Sequence, residues 1–303
     1  MPSRNMPKPW NMEFRITSAA GEEERDKLEK AFVEKPALRR MESAKELERT
    51  PFEAASITAS REAIRELTAR LGLPKTDVPD DHIHVLTPQE FAKEISPHAE
   101  GKSLFGHAYI PRNDDPVVFT RLLTHELSHA ASHAQIQLNQ GAADPRQVSM
   151  RHRKIGFTFS PNRKEKPRIP FFNGLNEGTT ELCARFLRNQ VATTDLPFED
   201  AGRKSLKRFV FYRPWVIVVD ALLQIIAQAE GVSYEDAQDD LLRDYFRGTY
   251  TILQRLERHR NGVTHVLREA DHSPDGAEAA ANKLQLTEAL RDMRRPTDRS
   301  SSS

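Results

Sequence analysis

The residues best suited to chemistry lie in the run His125-Glu126-Leu127-Ser128-His129. Val118 and Leu122 continue into His125 and His129 at steps of three and four, the spacing of one face of an amphipathic helix. Two imidazoles one turn apart on such a face can share a tetrahedral zinc ion. Glu126, one residue on, points beside the metal. A general base must sit there to take a proton from a metal-activated water. Asn113-Asp114-Asp115-Pro116 opens the helix, with Asp115 at the N-cap and Pro116 in the first helical position. The pattern predicts that it runs to Gln140 and stops at Gly141. The competing explanation for the pair is two core histidines satisfied by hydrogen bonds.

A catalytic zinc takes a third protein ligand and leaves one position open. One common source is a third histidine six residues after the second, with a glycine between. Here those positions hold Gln135 and Ser132. His133 would lie one further turn along a straight helix, an outer-face position. The other source is a glutamate on a second helix. Gly174-Leu175-Asn176-Glu177-Gly178-Thr179-Thr180-Glu181-Leu182 puts Glu177 in the opening turn of a helix, facing the metal. Glu181 lies one turn later on the same face, where it can accept a hydrogen bond from a ligand imidazole and fix its tautomer. Acids also favour helix N-termini for dipole reasons alone, so Glu177 draws its meaning from the histidines upstream.

The elements that must position these residues follow from pattern and punctuation. Ile57, Ile64, Leu67 and Leu71 form a helical stripe over residues 53 to 72, with Gly72 as its stop. Short strands are predicted at 82–86 and 104–110. Residues 142–170 read as a basic loop, with a hairpin pairing 155–160 with 168–172 around Pro161-Asn162-Arg163. Helices are predicted at 177–189, 199–230 and 234–258. The fold class is therefore α+β and mostly helical. A small mixed sheet carries the metal-binding helix, a helical lobe follows, and the active-site cleft lies between. The organisation reads as residues 1–50, a charged extension with one exposed helix at 20–34; 51–141, the α/β part; 142–272, the loop, hairpin and helical lobe; and 273–303, a weak helix and a disordered tail.

Composition sets limits on partners. The 45 Lys and Arg residues nearly cancel the 44 Asp and Glu residues, so overall charge gives no reason to expect nucleic acid. Arg151, Arg153, Lys154, Arg163, Lys164, Lys166 and Arg168 cluster between the two motifs. Nothing aromatic is interleaved with them in the way single-strand binding would need, and they read as a solvated loop. The sole cysteine, Cys183, excludes an internal disulfide and reads as a small core residue. Trp215 to Leu223, broken by Asp220, is too short to span a bilayer, and the N-terminus shows no apolar signal region. A cytoplasmic location is the expectation, and the oligomeric state is left open.

His125-Glu126-Leu127-Ser128-His129 followed by Gly174-Leu175-Asn176-Glu177-Gly178-Thr179-Thr180-Glu181 resembles the gluzincins, the thermolysin-like and aminopeptidase-like zinc peptidases. The resemblance implies that His125, His129 and Glu177 bind Zn2+, that Glu126 is the catalytic base and that Glu181 supports the ligands. It also implies a tyrosine after the glutamate helix to steady the tetrahedral oxyanion. Tyr212 is the first choice, with Tyr245 and Tyr250 as alternatives. The strand holding Gly106, His107 and Ala108 resembles the edge strand on which these enzymes pair an extended substrate. The implied reaction is hydrolysis of a peptide or protein substrate, as an endopeptidase. Two other functions fit the same residues: a catalytically silent peptidase-like module that binds zinc and peptides as a regulator, and an all-helical interaction protein.

Overall fold

The computed structural model describes residues 12–16, 44–74, 76–140, 148–159, 171–271, 275–286 and 291. It is mostly helical with small mixed sheets, the α+β class expected. Contacts divide the chain into two compact units. The first comprises Met1–Gly156, Cys183–Phe209 and Phe246–Gly248; the second comprises Phe157–Leu182, Val210–Tyr245 and Thr249–Ser303.

In the first unit, helix α1 (Pro51–Arg70) begins with a capping box. Thr50 Oγ1 accepts from the Glu53 N–H, and the Glu53 carboxylate accepts from the Thr50 N–H. Ile57, Ile64, Leu67 and Leu71 are all buried, and the chain leaves through Gly72 at φ +66°. Glu53 also accepts two hydrogen bonds from Arg112, at 2.8 and 2.7 Å. Burial pushes its carboxyl up, but these bonds and the Thr50 contacts outweigh burial and hold it below the usual range.

Strands β2 (Ile83–Leu86), β3 (Lys102–Leu104) and β4 (His107–Pro111) form a sheet in the order β2-β4-β3. β2 is parallel to β4 and β3 is antiparallel to it. The expected single strand over 104–110 is instead a hairpin. Phe105 and Gly106 turn the chain at φ 56° and 78°, the paired positive φ values of a tight two-residue turn. Ile83, Val85, Ala108 and Ile110 fill one face and are buried. Their sequence neighbours His84, His107 and Tyr109 line the other, as period-two alternation requires.

Helix α2 (Pro116–Ala131) carries the histidine pair. Asp115 caps it as expected, accepting from the Val117 and Val118 N–H groups. It ends at Ala131, short of the predicted Gln140. The next residues form β5 (Ala134–Gln140), paired in parallel with β1 (Met12–Ile16) and antiparallel with β6 (Val148–Ile155). β7 (Thr158–Phe159) completes the order β1-β5-β6-β7. Gln135-Ile136-Gln137-Leu138-Asn139 alternates polar and apolar, so the strand period overrides helix continuation there. Three expectations are thereby corrected. The helix is shorter, residues 12–16 are a strand within the supposed extension, and Arg151, Arg153 and Lys154 lie on a strand, not in a loop. The helix expected at 20–34, the hairpin turn at 161–163 and the tail beyond 291 lie outside the described residues.

Helix α3 (Asn173–Val191) carries the glutamate pair, and α4 (Asp200–Arg208) follows it. Arg121 of α2 donates to Ser205, stacks over the Phe209 ring at 3.9 Å, and is joined there by Arg188 of α3, which donates to the Phe209 carbonyl. Burial lowers the Arg121 pKa, and the neighbouring Arg188 charge lowers it further. Cys183 is fully buried, as expected of a core residue.

The second unit holds α5 (Arg213–Glu230), most of α6 (Tyr234–Arg247), α7 (Thr251–His259), α8 (Val263–Ala270) and α9 (Gly276–Lys283). The two long helices expected from the sequence are each broken. Tyr212 at φ +49° and Pro214 in the first turn restart the chain after α4. Gly248 at φ +66° ends α6, and a Cβ there would fall 2.1 Å from the His133 ring. Among the described residues no single helix is long and apolar enough to cross a membrane.

Candidate metal centre

The first turn of α3 is fixed from several sides within its unit. The Asp271 carboxylate, just past α8, accepts from the N–H groups of Asn173 and Gly174 at 3.0 and 2.8 Å. This is an N-cap supplied from far along the chain, worth about 1 kcal/mol. A Cβ at Gly174 would sit 2.0 Å from the Trp215 ring, and one at Gly178 would sit 2.9 Å from the Trp215 carbonyl. Both glycines thus permit close approach of α5. Asn176 Oδ1 accepts from the Phe157 N–H at 2.9 Å, and Thr180 Oγ1 lies 2.8 Å from the Tyr245 hydroxyl. Glu177 is therefore flanked by anchored residues.

His125, His129 and Glu177 each offer a ligand atom, and these atoms lie within 4.8 Å of one another. The two imidazoles meet nearly edge to face, with centroids 4.9 Å apart and planes at 81°. Rings so crossed can aim one nitrogen each at a shared point. A tetrahedral ion with bonds near 2.0–2.1 Å separates its ligands by about 3.3 Å, so modest side-chain rotation brings this group to bonding distance. Two imidazole nitrogens and one carboxylate oxygen form a donor set that fits a divalent ion. His125 is buried, whereas His129 and Glu177 are partly exposed.

Glu126, the residue after His125 on α2, is buried, and Gly101 lies directly against it. A Cβ on Gly101 would come within 2.9 Å of Glu126 Cγ and Oε1. Gly101 immediately precedes β3, which packs on α2. Glu181 is 1% exposed on α3, one turn beyond Glu177.

The remaining expectations fare differently. Tyr212 is half exposed at the N-cap of α5. The Tyr245 ring is fully buried with its hydroxyl against Thr180, and the Tyr250 hydroxyl donates to the Phe157 carbonyl at 3.3 Å. Burial pushes the Tyr250 phenol up, keeping it protonated. His133 lies beyond α2, between Ser132 and β5, not on the outer face of a continuing helix. Gly106, His107 and Ala108 do not form a sheet edge. Gly106 is in the hairpin turn, and β4 is the central strand, with Ala108 opposite Ile83 on one side and Ser103 on the other. The main-chain groups of His107 and Ala108 already serve the sheet.

Sequence reasoning missed Gly101 and Asp271. Gly101 reads as an ordinary loop glycine in Glu100-Gly101-Lys102. Asp271 stands 98 residues from Asn173, the first residue of the helix it caps, and no local pattern links the two. Comparison of the chain with protein-family models, with curated proteins and with solved structures gave no match.

Proposed function

We propose that this protein is a zinc-dependent peptidase of the gluzincin type, acting on peptide or protein substrates. The observation that carries the reading is the convergence of His125, His129 and Glu177, with the buried Glu126 next to His125 in the chain. A zinc ion held by those three residues would polarise the scissile carbonyl and acidify a water. Glu126 takes that water's proton and returns it to the departing amine, so the proton is conserved over the cycle. Glu181 accepts from a ring N–H of a ligand histidine and holds its tautomer. Tyr212, the most exposed of the three tyrosines considered, donates to the oxyanion.

Substrate alignment falls to β3 in this reading, in place of β4. β3 ends the sheet, and its first residue follows the glycine that touches Glu126. An extended peptide added to its outer edge would bring a main-chain carbonyl toward the base. Two measurements test the proposal: zinc content of protein purified without added metal, and cleavage of a peptide pool by wild type and Glu126→Gln. Near-stoichiometric zinc with turnover lost in the variant supports it. Zinc without hydrolysis by either protein favours the silent module, and protein without zinc removes the site altogether.

A further inference from the structure

The helix that carries Glu177 opens without a capping side chain in the usual place. Phe172 precedes its first residue, Asn173, and occupies the N-cap position: its carbonyl accepts from the Asn176 N–H at 2.9 Å. A phenylalanine side chain offers no acceptor to the N–H groups of the first turn. The acceptor comes from Asp271, 98 residues along the chain. We propose that Asp271 is a positioning residue for Glu177, and that the chain from α8 to α9 thereby sets how tightly the site holds its metal. The inference rests on the reading of His125, His129 and Glu177 as a metal site and adds what controls its affinity.

Three observations carry it. The first is the pair of bonds itself. Asp271 Oδ2 accepts from the Asn173 N–H at 3.0 Å and Oδ1 accepts from the Gly174 N–H at 2.8 Å, so each carboxylate oxygen meets one donor. Gly174 is buried, where a main-chain N–H left without an acceptor is costly. Glu177 follows Asn173 by about one turn of helix. Unwinding the capped turn therefore shifts the residue whose carboxylate must meet two imidazole nitrogens.

The second is the clamp around that cap. Arg268, on α8 just before Asp271, lies over the Phe171 ring at 5.1 Å. A Cβ at Gly276, the first residue of α9, would sit 3.3 Å from the Trp215 ring that also meets Gly174, and 2.3 Å from the Ala270 carbonyl. Residues on both sides of Asp271 are thus packed against the entry of α3 or against the ring that backs it, and all lie in the second unit. Asp271 is held in place to cap.

The third is strain at the entry. Phe172 holds φ +60°, unfavourable for an aromatic residue, so its surroundings must maintain the approach to the helix. Beyond the cap, Asn176 accepts from the Phe157 N–H and Thr180 meets the Tyr245 hydroxyl, and these contacts remain when Asp271 is removed. Losing the cap should therefore weaken the site without abolishing it.

The test uses the full-length protein, with zinc affinity measured by chelator competition at a temperature where each variant is folded. Asp271→Ala should bind zinc about three- to thirtyfold more weakly, the factor that a lost cap supplies. Asp271→Asn keeps one acceptor oxygen and should fall between that variant and wild type. Thr50→Ala removes a cap of the same kind from α1, which carries no ligand, and should lower the melting temperature while leaving zinc affinity unchanged. With Co2+ as the probe, the visible absorption bands should change in Asp271→Ala and not in Thr50→Ala, a signature that lost stability alone does not move. In the wild type, where no variant has to fold, zinc should slow amide exchange at Asn173 and Gly174, because coupling between cap and metal acts in both directions. Equal affinity in wild type and Asp271→Ala, an equal loss in Thr50→Ala, or exchange that zinc does not alter overturns the positioning role and spares the metal site. A wild-type protein that binds neither zinc nor Co2+ overturns the metal site and this inference with it. The expected affinity pattern in a protein that cleaves no peptide overturns the peptidase and upholds the role of Asp271.

Discussion

Two regions of this molecule concentrate histidine, and they are built on opposite plans. On α2, His125 and His129 cross at 81° and meet a carboxylate from α3. On the small sheet and in the turn just before β2, His82, His84 and His107 lie nearly parallel. His82 stacks on His107 at 4.0 Å and 16°, and His84 stacks on Tyr109 at 4.5 Å and 14°. His84 Nε2 lies 2.8 Å from His107 Nδ1, while His84 Nδ1 faces the Glu46 carboxylate. In the column the His84 nitrogens are spent on hydrogen bonds, and parallel planes prevent His82 and His107 from aiming at one point between them. Helical spacing makes imidazoles converge; neighbouring strands make them stack. Counting histidines would rank the two regions alike, whereas ring geometry separates a donor set from a packing device.

The largest test of that contrast is metal content. His125→Ala should drop bound zinc below about a tenth of an equivalent, whereas His107→Ala should retain a full equivalent in whatever fraction folds. Loss of zinc in both would erase the distinction. Next is turnover. Glu126→Gln should keep zinc and lower the cleavage rate by about 10²- to 10⁴-fold, the range of a general base. Wild-type rates in that variant would remove Glu126 from the mechanism. A smaller effect is expected for Glu181→Ala. Zinc affinity measured by chelator competition should fall by about 10- to 100-fold, the usual cost of losing a carboxylate behind a ligand imidazole. An unchanged affinity would reduce Glu181 to a buried acid with another partner.

The same contrast explains what could be read from the chain. The grouping of His125, His129 and Glu177 was legible because each half is a local pattern: two histidines at a helical step, and a glutamate opening a helix with a second acid one turn later. The α1 stripe and the Asp115 cap were legible for the same reason. The end of α2 was not, because His133 continues the helical face while the residues after it alternate with period two; β5 forms only because β1 and β6 are there to pair with it. The hairpin at Phe105-Gly106 was hidden by a phenylalanine at positive φ, a position where sequence leads one to expect glycine or asparagine. That single turn moved the sheet edge from β4 to β3, and with it the place where a substrate would pair. Gly101 and Asp271 act through contacts across long stretches of sequence, which spacing rules do not reach.

The smallest effect tests the column alone, through pH. Asp81, Gly106 and Glu46 face this group besides its own members His82, His84, His107 and Tyr109. Burial, reinforced by the His82 and His84 neighbours, pushes the His107 imidazole down to about 3. Burial lowers His82 as well, against the pull of Asp81 and of a hydrogen bond to the Gly106 backbone. In the unfolded chain both titrate near 6.5. Between those values the unfolded chain binds more protons than the folded one, so stability rises with pH across that window. The column's contribution is complete above about pH 6.5 and is lost as pH falls toward 3. His107→Phe keeps a flat ring in the stack and removes the titration. Acidification also strips metal from histidine ligands, so the comparison belongs in a His125→Ala background, where that loss is already complete. There the melting temperature should fall less between pH 7 and pH 4 in the protein carrying His107→Phe, by a few degrees. Identical slopes would mean that the stacked imidazoles stay solvated enough to titrate normally, and that the column is surface decoration on the sheet.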